Sequence, residues 1–305
     1  MAFNDNQKGA AFIVVSTAFI SASLICAKAM QDSALMGAPG LHPLQAAWGR
    51  FAFGFLSILA FSLVRWPGIH TSRLGLHIAR TLCGWSGIAA LFAALALMRA
   101  ADATAISFLN GLCAMVFAVL FLGEKVGPWR WGAALIAFIG AVVIARPGTD
   151  AFQWSALLAA GAAMVMGLEV ILIKQLTAGS EPRPRILLIN NALGALIATI
   201  AVLFVWQTPN ALQWLMLVGA GVFMIGAQVF FLRGLSLAEA NLAAPFNYFT
   251  LIFASFYAFI LFGEVPVFTT WIGAGLIVTG GIILAWREHV KRPKVRVTTP
   301  VSPDP

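Results

Sequence analysis

The chain repeats itself. The stretch Ala101–Arg146 recurs as Ala238–Trp286. Asn110 matches Asn247, Leu122-Gly123-Glu124 matches Phe262-Gly263-Glu264, Trp131 matches Trp271, and Gly140 matches Gly280. Weaker matches carry the echo into the rest of each half: Lys28 with Lys174, Pro43 with Pro184, and Gly84 with Gly221. Duplicated blocks of apolar helices are a recurrent membrane architecture, and a block with an odd number of spans must lie upside down relative to its copy.

The chain is apolar enough for that reading. It is 61% hydrophobic and 10% charged, too little polarity to cover the surface of a soluble domain. A hydrocarbon core about 30 Å thick needs roughly 20 apolar residues per helix. Cutting at charges, prolines and polar clusters gives five segments in each half. The first five are Ala10–Met30, Pro43–Val64, Leu74–Met98, Asp102–Leu122 and Pro128–Ala145. The second five are Phe152–Gln175, Arg185–Trp206, Ala211–Leu232, Ala238–Phe262 and Pro266–Trp286. The first run is too long for the apolar core of a signal peptide and has a counterpart in the second half, so it is read as a retained helix.

Charge placement tests the odd count. With the N-terminus in the cytoplasm, fifteen of the 19 Lys and Arg residues fall in inner segments, Arg80 counted among them, against Arg99 and Arg146 outside. The expected fold is therefore all-α and membrane-integral. It has ten transmembrane helices in two inverted five-helix repeats, residues 10–146 and 152–286, with both termini cytoplasmic. A basic, proline-rich tail, 287–305, is expected to be disordered near anionic lipid.

The same pattern excludes other chemistries. The net charge of +8 follows membrane orientation rather than a nucleic-acid surface. The three cysteines, Cys26, Cys83 and Cys113, lie in apolar runs without metal-ligand spacing. The four histidines, at 42, 70, 77 and 289, are read as loop or tail residues, and there is no His-Glu-x-x-His or nucleotide-binding glycine loop. No catalytic residue, metal or cofactor is expected. The expected partners are a small-molecule solute and the lipid bilayer. Small residues Ala133, Ala137, Ala141, Gly273 and Gly281 form close-packing faces on spans five and ten. These either brace the two halves or support a homodimer.

The Gly-Glu ends of spans four and nine, each followed by a Trp and a glycine-punctuated helix, resemble the EamA-type branch of the drug/metabolite transporter superfamily. The resemblance covers roughly residues 10–287 and implies a central cavity lined by spans one, three, four, six, eight and nine. A narrower set is Arg80-Thr81-Leu82-Cys83-Gly84, Ala101-Asp102-Ala103, Arg130-Trp131, Arg146-Pro147, Ala244-Pro245-Phe246-Asn247-Tyr248 and Phe262-Gly263-Glu264-Val265-Pro266. It is similar to a bacterial subgroup that includes riboflavin transporters, the nearer resemblance, and S-adenosylmethionine uptake proteins. The implied activity is secondary transport of a small metabolite across the bacterial inner membrane, riboflavin uptake first and amino-acid or other metabolite export or S-adenosylmethionine uptake as alternatives, rather than catalysis. A membrane scaffold is the non-transport alternative, and it leaves the duplication unexplained.

Candidate site residues follow from polarity in a dry environment. Arg50 is roughly 10 Å deep in span two and is read either as snorkelling or as an anion contact. Glu169 is read as the acid well inside a span, with proton or solute exchange weighed against neutralisation. Asn110, Asn191, Gln228 and Asn247 offer donor and acceptor together, either to read a polar metabolite or to hydrogen-bond helices to one another, with the binding role favoured for Asn247. Trp85, Phe108, Phe246 and Tyr248 offer faces on which a planar solute would stack, or plain packing. Pro245 is expected to break span nine beside Asn247. Glu124 and Glu264 are read as organisers of helix ends.

Overall fold

The computed structural model describes residues 5–62, 68, 70–124, 126–146, 153–178, 182–237 and 246–290, and what is described is helical with short connections. The first half contains α1 (Asp5–Ala29), a one-turn α2 (Ser33–Met36), α3 (Pro43–Ser62), α4 (Leu74–Leu97), α5 (Ala100–Ser107), α6 (Asn110–Leu122) and α7 (Pro128–Ala145). The second contains α8 (Ser155–Ala178), α9 (Arg183–Val202), α10 (Ala211–Leu237), α11 (Phe249–Phe262) and α12 (Phe268–Val290). Among the described residues, seven helical stretches are long and apolar enough to cross a membrane, α5 and α6 counting as one. Phe249–Phe262 and Phe268–Ile283 are shorter apolar helices. Exposed Trp129, Trp154 and Trp206 suit an interfacial belt, where an amphipathic ring is favoured.

Two matched pairs of helices, one from each repeat, pack in opposite directions. In α7 and α12 a methyl group on Gly140 would sit 2.5 Å from the Gly273 carbonyl oxygen, and one on Gly280 would sit 2.5 Å from the Ala133 carbonyl oxygen. Residue numbers rise along one helix as they fall along the other. The matched pair α3 and α9 has the same sense, with Gly54 beside Asn191 and Gly194 against Phe51. Packing then interleaves the repeats. Helix α1 lies on α10 and α11, while its counterpart α8 lies on α4 and α6. Each half buries its small-residue seams against the other, which is how helices associate where lipid offers no hydrophobic drive between them.

The seam between α7 and α12 answers one expectation. Ala133, Ala137, Ala141 and Gly273 are used inside the chain to brace the halves. Gly281 does not join them; it lies under the hydroxyl of Tyr248, where a side chain would overlap it.

Two ion pairs repeat the same logic. Lys28 at the end of α1 contacts Glu264 past the end of α11 at 2.7 Å. Lys174 on α8 contacts Glu124 past the end of α6. The four residues are the duplicate-matched lysines and glutamates, and each pair joins one repeat to the other. Their surroundings differ. The side chains of Lys28 and Glu264 are 10% and 20% exposed, those of Lys174 and Glu124 are 56% and 38%. Lys28 also donates to the Met98 carbonyl at 2.6 Å, and Glu264 accepts from the Ala100 amide at 3.0 Å. The glutamates thus do more than end helices: both latch the repeats together.

Other details depart from expectation. His77 is not in a loop; it lies in the first turn of α4 and is fully buried. Asp102 is buried within α5, where it accepts a hydrogen bond from Thr270 at 2.5 Å, so Glu169 is not the sole carboxylate inside a span. Helix α12 runs to Val290, past the expected start of the tail, and residues 291–305 lie outside the described residues. Pro245 lies outside them too.

The unequal pairs give a stability prediction. Glu264→Gln leaves Lys28 buried without its counter-ion and is expected to cost about 3–5 kcal/mol, whereas Glu124→Gln at the exposed pair costs under about 1 kcal/mol. Unfolding midpoints of the two variants in one detergent, compared with the parent chain, measure this; equal losses would contradict it.

Candidate functional site

The fourth span is interrupted by a tight turn within an otherwise continuous helical path. Residues 108–109 form a turn between α5 and α6, directly before Asn110. Tyr248 forms a turn directly after Asn247 and before α11. The backbone therefore breaks beside both matched asparagines. A broken helix is tolerated at membrane depth where its freed groups face a cavity rather than lipid.

A cavity of about 660 Å³ lies there. Its lining includes Arg50, Phe108, Asn110, Gln228, Asn247 and Tyr248, from both repeats. Phe108 and Tyr248 meet edge to face with ring centroids 5.0 Å apart, one ring from each repeat. The cavity reaches the exposed Lys174–Glu124 end, and neither Lys28 nor Glu264 lines it. The opposite end is closed by the buried latch, with α5 packed on α11.

A subpocket of about 200 Å³ shares Arg50, Ile88, Met166, Met224 and Gln228 with the larger cavity. Among the described residues its charged lining is Arg50, Arg80 and Glu169. Arg80 approaches Glu169 at 3.6 Å and donates to the Ile186 carbonyl at 3.4 Å. Asn190 accepts from Thr81 at 3.2 Å, and Asn191 donates to the Leu187 carbonyl at 2.9 Å. Arg50 lies over the Phe51 ring at 5.3 Å, with Nη1 buried and unbonded, and Oε1 of Gln228 is likewise buried and unbonded.

The structure thus brings together Arg50, Phe108, Asn110, Glu169, Asn191, Gln228, Asn247 and Tyr248 around the two connected spaces. Phe246 stacks on Phe249 at 6.0 Å, and Trp85 packs against the core; among the described residues neither lines these spaces. Arg80 was counted with the inner-loop charges but is buried in α4 opposite Glu169. Its signal was present in the duplication. Counting from Gly84 and Gly221, Arg80 matches Leu217; counting from Lys28 and Lys174, Glu169 matches Ser23. Leu217 is fully buried, and Ser23 donates to the Ala220 carbonyl at 2.7 Å. Where α4 and α8 meet through an ion pair, the matched contact of α10 with α1 holds a leucine and a serine.

Comparison with known proteins now bears on what this arrangement is for. The EamA-like transporter family model matches twice, over residues 7–146 and 153–286. The chain belongs to the EamA-like transporter family. This EamA-like chain is 31% identical to a riboflavin transporter of Vibrio cholerae over 261 residues, covering 83% of this chain and 86% of that protein. It is 28% identical to a riboflavin transporter of Rhizobium johnstonii, over 80% of this chain and 81% of the relative. An S-adenosylmethionine uptake transporter of Rickettsia felis is 27% identical, over 81% of this chain and 84% of the relative. A solved crystal structure matches with a TM-score of 0.62 at 20% identity, covering 93% of this chain and 99% of that one, which speaks to the fold. The chain is a multi-pass membrane transporter.

Gly84 offers a test of the subpocket. A methyl group there would sit 2.8 Å from Oε1 of Glu169, the far end of a flexible side chain. Gly84→Ala is expected to move the carboxylate and lower transport several-fold, while the melting midpoint stays within the range of a tolerated substitution, about 0.5 kcal/mol. A variant with parental transport would remove the carboxylate's position from the site's requirements.

Proposed function

We propose that this protein is a secondary transporter that moves a small organic metabolite across the bacterial cytoplasmic membrane by alternating access, with riboflavin uptake as the specific reading. In this reading ten spans form two inverted repeats, 10–146 and 152–286, and both termini and the tail 287–305 are cytoplasmic. The carrying observation is the cavity between the repeats, open toward one end and latched at the other. Its volume is within the ordinary range of small-molecule sites, about 300–1,000 Å³. The Phe108–Tyr248 pair supplies an aromatic wall for a planar ring system, and Asn110, Asn247 and Gln228 supply amide donors and acceptors. Arg50, Glu169 and Asn191 supply the polar floor. Uptake of S-adenosylmethionine is the second reading, supported by the S-adenosylmethionine relative; export of an amino acid or other metabolite would use the same cavity in reverse.

Expression in a riboflavin auxotroph is expected to restore growth at low external riboflavin, and growth no better than an empty vector would end the flavin reading. Glu169 faces Arg80 and Arg50 and is the titratable carboxylate of the subpocket. Uptake by Glu169→Gln is expected to lose its dependence on external pH between about 5 and 8; an unchanged profile would remove Glu169 from proton coupling.

A further inference from the structure

We infer that the subpocket at Arg50 is a binding site for an anionic group of the solute, a carboxylate or a phosphate ester; the inference deepens the transport reading and rests on it. The charged lining that is described consists of two guanidinium groups and one carboxylate. Arg80 approaches that carboxylate to 3.6 Å, its Nη1 is bonded to a backbone carbonyl, and Arg50 shares the same carboxylate's field from across the subpocket. Arg50 keeps a buried Nη1 with no acceptor. A guanidinium inside a membrane protein is costly unless an anion or a water-filled space compensates it. The space next to Arg50 is open to the main cavity, so the compensating charge can arrive with the solute. Planar, forked donors suit a carboxylate or phosphate in two-bond contact.

The duplication argues that these charges are not there to hold the fold. Arg50 matches Asn191, Arg80 matches Leu217, and Glu169 matches Ser23. At the matched places the opposite repeat keeps the same helix packing without a charged group. All three charges therefore break the internal symmetry at one spot, and that spot borders the cavity. One carboxylate, Glu169, serves two guanidinium groups, so the site keeps one positive charge in excess, and the hydrogen-bonding capacity left over is at Nη1 of Arg50.

The inference narrows the choice of solute. Riboflavin has no anionic group at neutral pH, its phosphate ester has one, and S-adenosylmethionine has a carboxylate. Within any pair of otherwise similar solutes, the anionic member is expected to bind more tightly.

Full-length protein in lipid nanodiscs tests this without knowledge of the natural solute. Thermal unfolding is followed while sodium acetate or sodium phosphate replaces sodium chloride at constant ionic strength, and in parallel with riboflavin or flavin mononucleotide. In the parent chain acetate or phosphate is expected to raise the midpoint; which of the two acts more strongly tells carboxylate from phosphate. Arg50→Gln is expected to weaken that binding at least about tenfold, the loss of a charge-assisted contact, and Arg50→Lys by less. Glu169→Gln removes the competing carboxylate and is expected to tighten it. A purely structural role predicts the same sign for the Arg50→Gln and Glu169→Gln variants. If neither acetate nor phosphate shifts the parent chain, or if Arg50→Gln keeps the shift, the anion site is wrong. If the anion shift is present while riboflavin and its phosphate ester both fail to bind, the flavin reading falls and the anion site stands.

Discussion

A bilayer core supplies neither counter-ions nor hydrogen-bonding water, so a charge held there must find its partner within the protein. In this chain those partners come from the other repeat. Lys28 of the first half meets Glu264 of the second, Lys174 of the second meets Glu124 of the first, and Arg80 of the first meets Glu169 of the second. A half alone would leave each of these charges unmatched. The same holds for packing, because Gly140 and Gly273 bring α7 and α12 to backbone contact only when both repeats are present. The duplication is thus not two domains side by side. It is one bundle assembled from two incomplete pieces.

The near-symmetry of the pieces makes their differences readable. If the two latches were equivalent, the molecule would look the same from either end. Instead one is buried and reinforced by the backbone at Met98 and Ala100, while the other is exposed and borders the cavity. The same chemical pair therefore occurs once in a closed environment and once beside an open one. Exchange of those two environments is what alternating access would require of an inverted repeat, and no new contacts need to be invented for it.

The sequence made the scaffold legible because its signals are repetitive. Apolar runs mark the helices, lysines and arginines mark the loops, and matched Gly-Glu pairs mark the helix ends. It pointed to the lining of the cavity wherever a polar residue stood alone in an apolar run, as Arg50, Glu169, Asn110 and Asn247 do. It failed where position along a helix was inferred from charge alone. Arg80 and His77 sit near the start of α4, and a basic residue there looks like a loop residue until α9 and α8 are packed over it. Asp102 looked like a boundary for the same reason, and it is buried because α5 lies against α12. The role of aromatic residues was the least legible. Phe108 and Tyr248 face each other across the repeats while Trp85 and Phe246 pack elsewhere, and composition offers no means to separate them.

Arg50 and Asn191 occupy matched places on α3 and α9, and both line the subpocket. Gly54 meets Asn191 and Phe51 meets Gly194, so Arg50 and Asn191 both stand within about a turn of the point where the matched helices cross. A solute anchored there would not have to travel as the repeats exchange roles; the access path would move around it. Perfect symmetry would forbid such an anchor from being selective, because both repeats would present the same residue to an asymmetric solute. Arginine at one of the two places and asparagine at the other breaks that tie.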